Sequence, residues 1–125
     1  MPFEVGRSFI DQHFRKRADF AWSEEFFLRA IASARSKYDV YCSVLGLREV
    51  GTQRSIPVLK TLLSYPKSDV KSCAILTIAQ IARVAETEYY AQTLLNPKYR
   101  EKCYAMWAIE VAADERAIPE AGNVV

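Results

Sequence analysis

The chain has 125 residues, half of them apolar, with 17 Lys and Arg against 15 Asp and Glu. This suffices for one domain with its own core, and the charge argues neither for nor against a nucleic-acid partner. No apolar run approaches the roughly 18 residues that span a membrane, and four glycines with five prolines describe neither a disordered nor a low-complexity chain.

Met1-Pro2-Phe3-Glu4 lacks a basic stretch leading into an apolar one, so it does not read as a signal peptide. Three cysteines without a Cys-x-x-Cys pair predict a soluble protein of a reducing compartment, hence cytoplasmic.

Residues 1–37 predict two helices. One lies around Arg7 to Arg17, with Phe9, Ile10 and Phe14 apolar. The next starts at Ser23-Glu24-Glu25, where two carboxylates meet the positive end of the helix dipole, and Phe27, Ile31 and Ala34 share its face. The segment reads as an N-terminal helical cap or a degenerate repeat.

Residues 38–66 read as helix, turn, helix. Val40, Val44, Leu47 and Val50 form the first apolar stripe, and Gly46 permits a close helix approach. Gly51 suits a left-handed helix end. Pro57 fits the first turn of the second helix, where its missing N–H costs little, and Val58, Leu59, Leu62 and Leu63 supply the buried side.

Residues 67–97 follow the same plan. Asp69 is the expected cap ahead of Val70, and Val70, Ala74, Ile78 and Ile81 share one face, with Lys71, Ser72, Gln80 and Arg83 largely elsewhere. Ala74 and Ala79 allow close helix contacts. A second helix from about Glu86 to Leu95 has Tyr90, Ala91, Leu94 and Leu95 as its apolar side, and Asn96-Pro97 stops it.

Residues 98–125 begin a third unit that reaches Ile118-Pro119-Glu120 and then ends. The second helix that would cover Met106, Ile109 and Val111 is missing. Two explanations stand: the chain is a fragment or carries an unusual cap, or a partner or second copy covers that face.

These units are related by translation. Thr61-Leu62-Leu63-Ser64-Tyr65-Pro66-Lys67 recurs as Thr93-Leu94-Leu95-Asn96-Pro97-Lys98, and Arg54-Ser55-Ile56-Pro57 recurs as Arg116-Ala117-Ile118-Pro119. Cys42, Cys73 and Cys103 fall 31 and then 30 residues apart. A period near 31 suits two short helices and two turns.

At this point the chain resembles the HEAT-like, armadillo-type helical repeats, a family that includes the repeats of bilin lyases. Val50-Gly51-Thr52-Gln53-Arg54-Ser55-Ile56-Pro57 looks like the family's turn into the second helix. Asp69-Val70-Lys71 resembles its Asp-Val-Arg helix start, and Asp114-Glu115-Arg116-Ala117-Ile118-Pro119 the turn again. The resemblance covers roughly residues 38–120. Ala82 and Ala112 stand where the family has glycine, and Glu88-Tyr89 replaces Ile-Pro. It implies an all-α, right-handed α-α superhelix of about three hairpins, with the second helices lining a concave surface. The outward positions on that surface are Lys60, Tyr89 and Gln92, with Gln53 and Arg54 at its entrance.

Catalytic candidates are few. His13 is the single histidine and reads as a surface residue. The cysteines, repeated at the period, read as small buried residues at helix contacts, and no metal or cofactor is expected. Glu24-Glu25 and Glu86-x-Glu88 read as dipole-stabilised helix starts. Trp22 and Trp107 read as core. Arg15-Lys16-Arg17 and Lys98, Arg100 and Lys102, near Phe14, Phe20, Trp22, Tyr99 and Tyr104, fit a phosphate-and-base surface less well than solvated helix ends and core aromatics.

The expected function is therefore a non-enzymatic macromolecule-binding module: a scaffold, adaptor or inhibitor of a protein partner, such as an immunity protein. One alternative is a bilin lyase or chaperone-like protein of the same repeat type. The other is a nucleic-acid-binding helical-repeat protein similar to the helical-repeat DNA glycosylases.

Overall fold

Ser23 and Ser36 open two helices in the same way. Each sits in extended backbone, and its hydroxyl accepts a hydrogen bond from the N–H three residues on: Phe26 at 3.1 Å and Asp39 at 3.4 Å. In the computed structural model, which describes residues 3–114, the chain is all-helical and no strand occurs among those residues. The helices are α1 (Phe3–Phe14), α2 (Glu24–Ala32), α3 (Lys37–Val50), α4 (Ile56–Thr61), α5 (Ser68–Ala82), α6 (Thr87–Leu95) and α7 (Lys102–Ala113). Short 3₁₀ turns at Gln53–Ser55, Leu62–Ser64 and Arg83–Glu86 lead into or out of α4 and α6.

The packing order is regular. α1 and α2 both rest on α3, α3 packs on α5, and α5 packs on α7. α4 lies against α5 and α6 against α7, so each of these shorter helices rests on the longer helix that follows it. The buried positions recur with the sequence period: Val44, Ile75 and Ala105 are fully buried, and so are Leu47, Ile78 and Ala108.

The N-terminal core is aromatic. Phe14 meets Phe26 edge-on at 5.1 Å, Phe20 meets Phe26 at 5.2 Å, and Trp22 meets Phe27 at 5.6 Å. Gly46 lets the Phe27 ring close on α3, since a Cβ there would lie 2.5 Å from its Cε2.

Several local expectations change. Gly51 is extended (φ −73°, ψ 153°), not left-handed. What it needs is space: a Cβ would meet Leu47 O at 2.5 Å and Ile81 Cδ1 at 2.8 Å. Among the described residues the positive φ falls on Arg83 (φ 54°). Its carbonyl accepts from the buried Tyr90 hydroxyl at 2.9 Å, and its guanidinium donates to Val111 O at 2.9 Å. Two tertiary bonds thus hold a conformation that propensity disfavours.

Asp69 is not the N-cap residue of α5, although its carboxylate accepts from Val70 N at 2.9 Å. The helix begins one residue earlier, and Asp69 lies in its first turn, 3.0 Å from the Lys37 ammonium. Ser72 is buried, its hydroxyl bonded to Ser68 O. Phe9, Leu95 and Trp107 are exposed, because each falls just off the buried arc of its helix. Cys42 and Cys73 are buried as expected, but Cys103 is exposed, as are Met106 and Trp107 one turn on. The second copy of the Arg-x-Ile-Pro turn, at Arg116-Ala117-Ile118-Pro119, lies outside the described residues.

Candidate functional site

The shorter helices are anchored by one side and present the other. In α4, Pro57 occupies the first turn, and the buried Ile56 and Leu59 fix the helix on α5. That leaves Lys60 half-buried at the edge. In α6, Tyr90 is fully buried, and the Thr93 hydroxyl donates to Tyr89 O at 2.8 Å. Tyr89 is held half-buried beside it and Gln92 is exposed.

After α6 the chain turns at Asn96. Its side-chain oxygen accepts from Lys98 N at 2.9 Å, and its carbonyl accepts from Tyr99 N and from the Lys102 ammonium. Tyr99 is thereby tucked in, 3% exposed, and Lys98 is left outside.

These elements enclose one groove of about 480 Å³. Lys60, Tyr89 and Gln92, the three outward positions expected from the repeat, all line it. Lys71 of α5 joins them, and Asn96, Lys98 and Tyr99 come from the turn. Gln53 and Arg54 are exposed but do not line it. Arg54 is 2.6 Å from Glu25, and its neighbours Thr52 and Ser55 are tied to Glu24.

The groove's lining is basic, with Glu86, Glu88 and Glu101 bonded to it from outside. Three lysines and no carboxylate line it. The Lys60 ammonium is 2.6 Å from Glu86 and 4.5 Å from the centre of the Tyr89 ring, so it also covers that face. Lys71 is 3.6 Å from Glu101, and Gln92 donates to Glu88 at 3.2 Å. Lys98 has no ion pair among the described residues.

Burial raises the Tyr89 and Tyr99 hydroxyls above the ordinary value, Tyr99 further with Glu101 nearby. Both are therefore protonated donors at neutral pH. The Tyr99 hydroxyl is buried and has no hydrogen-bond partner, and neither has Glu101 Oε2.

A second cavity of about 380 Å³ lies on the longer helices, with Tyr41, Leu45, Leu76 and Trp107 in its wall. Arg48 there is tied to Thr77 and Cys73. His13 is half-buried, not a plain surface residue, and its Nε2 is 2.8 Å from Asp39 Oδ1. Asp39 also accepts from Arg35 N at 3.0 Å. Burial raises this carboxyl, but those two bonds and the neighbouring charges hold it below its ordinary value overall. The pair joins α1 to α3.

The N-terminal basic-aromatic set is brought together, with Arg17 over Phe14, Phe14 stacked on Phe20 and Phe20 beside Trp22, but as core packing and ion pairing. Arg17 pairs with Asp19 at 2.8 Å and stacks on Phe26, Tyr99 is buried, and Tyr104 lies against Trp107. Trp22 is part-buried and donates to Asp11 at 2.8 Å. Among the described residues no helix is long and apolar enough to cross a membrane.

The groove was only half legible in the sequence. Lys60, Tyr89 and Gln92 followed from the repeat register. Lys71 was missed, and Lys98 and Tyr99 were weighed only for a phosphate-and-base surface, because the packing of each shorter helix on the longer one that follows it cannot be read from a single unit. No family model, curated protein or solved structure matches the chain.

Proposed function

We propose that the chain is a non-enzymatic macromolecule-binding module: a HEAT-like α-α stack whose shorter helices carry the recognition surface. In this reading α3, α5 and α7 are successive first helices, and α4 and α6 are second helices. Residues 1–37 cap the start of the stack. The α3-on-α5-on-α7 packing order and the recurrence of buried positions at the sequence period support the stack. The observation that carries the function is that Lys60 and Gln92, equivalent by repeat, line one groove together with Tyr89. Tyrosine there suits an interface anchor.

The test is retention of a protein partner from the native host by the immobilised chain. The comparison is with a Lys60→Glu/Gln92→Ala variant and with Leu45→Ala on the opposite cavity. A partner retained by the wild type and by Leu45→Ala, and lost by the groove variant, supports the reading. No retained partner, or retention indifferent to the groove, overturns it.

A further inference from the structure

We infer that the groove takes an acidic peptide segment of a protein partner, an inference that rests on the binding-module reading above. The charge of the lining decides the sign of the ligand. Lys60, Lys71 and Lys98 come from a helix of each layer and from the turn after α6, and no carboxylate faces them from the lining. Glu86 and Glu101 hold two of these ammonium groups in place, and Lys98 is left to meet an incoming charge.

The neutral groups decide the class. Gln92 uses one amide N–H on Glu88 and Asn96 uses its Oδ1 on Lys98 N, which leaves the Gln92 carbonyl and the Asn96 amide N–H groups to match peptide N–H and C=O groups. The Tyr99 hydroxyl is a buried donor without a partner, and a ligand carboxylate or carbonyl reaching it would remove that penalty. No arginine lines the groove, so the planar fork that reads phosphate oxygens in pairs is absent from it.

Nucleic acid fits less well. Binding of single strands relies on open aromatic faces for base stacking. Here the Tyr89 face is covered by the Lys60 ammonium, and Tyr99 is 3% exposed. A peptide needs neither face.

The experiment is a fluorescence-polarisation titration of the full chain with a labelled Glu/Asp-rich peptide. A Gln/Asn analogue of equal length and a labelled thymidine oligonucleotide are run in parallel. The acidic peptide is expected to bind at least about tenfold tighter than the analogue, and to weaken as salt rises from about 50 to about 300 mM. Lys98→Glu, on an exposed side chain, is expected to weaken binding about tenfold, and Lys16→Glu, exposed outside the groove, by less than about twofold. Tyr99→Phe is expected to weaken it about threefold or more, with circular dichroism confirming an unchanged helix content.

Equal affinity for the neutral analogue, equal effects of Lys98→Glu and Lys16→Glu, or tighter binding of the oligonucleotide would overturn the inference. If a host partner is retained through the groove but acidic peptides show no preference, this inference fails and the binding-module reading stands. If no partner is retained through the groove, the reading itself fails.

Discussion

The ring of Phe27 on α2 closes directly over Gly46 on α3. A Cβ at Gly46 would lie 2.5 Å from Cε2 of that ring and 2.6 Å from Cε1. Phe27 is fully buried and in contact with Phe14, Trp22 and Phe26, so it has little room to yield. Gly46→Ala gains about 1 kcal/mol of helix propensity, but overpacking costs about 1–3 kcal/mol. Denaturant unfolding should show a net loss for Gly46→Ala, partly restored in Gly46→Ala/Phe27→Leu.

Arg83 places an L-residue at φ 54°, ψ −140°, in a region that glycine enters at little cost. Both Arg83→Ala and Arg83→Gly lose the bond to Val111 O. Only glycine also relieves the backbone. Arg83→Gly should therefore unfold at higher denaturant than Arg83→Ala, by about 1 kcal/mol.

Glu24 reaches from the start of α2 to the turn before α4. It accepts from Thr52 N at 2.7 Å, from the Ser55 hydroxyl at 2.6 Å and from the Thr52 hydroxyl at 3.0 Å. Burial raises this carboxyl, but those bonds and Arg54 hold it below its ordinary value of 4.5 overall. A depressed carboxylate stabilises the fold above its unfolded value and loses that effect as pH falls through the folded one. Glu24→Gln should destabilise the chain at pH 7 by about 1–2 kcal/mol. In melts taken across pH, the gap to wild type should narrow as the pH falls below 4.5.

The three cysteines sit at one repeat position in different surroundings. Burial pushes the Cys42 thiol up to about 12, with Asp39 and Cys73 adding to it. Burial also raises Cys73, although Arg48 beside it acts the other way. Cys103 is exposed. Under native conditions a maleimide should modify Cys103 first, and peptide mass spectrometry should find Cys42 and Cys73 labelled only after denaturation.

These cases show what the sequence could and could not disclose. The stripe Val40, Val44, Leu47 and Val50 and the stripe Val70, Ala74, Ile78 and Ile81 were legible because they follow helical spacing; six of the eight are buried, and Val50 and Ile81 are half-buried against the core. The Gly46 approach was legible for the same reason. Gly51 and Arg83 were not, since composition suggests glycine for a left-handed end, whereas tertiary bonds from Tyr90 and to Val111 put it on arginine. Glu24 read as a dipole partner for its own helix, and its bonds to Thr52 and Ser55 depend on how α2 and the later turn are brought together. Leu95, counted on the apolar side of its helix, and Trp107, read as core, are both exposed, so an apolar residue near a stripe need not belong to it.

The most direct test of the groove is site-specific photo-crosslinking. A photoreactive residue would replace Gln92 within the groove or Gln80, exposed on α5 outside it. Each variant would be irradiated with the native host's proteins present. A discrete protein adduct from position 92 and none from position 80 is the predicted result. An adduct from position 80 alone, or none from either, would contradict a recognition surface on the shorter helices.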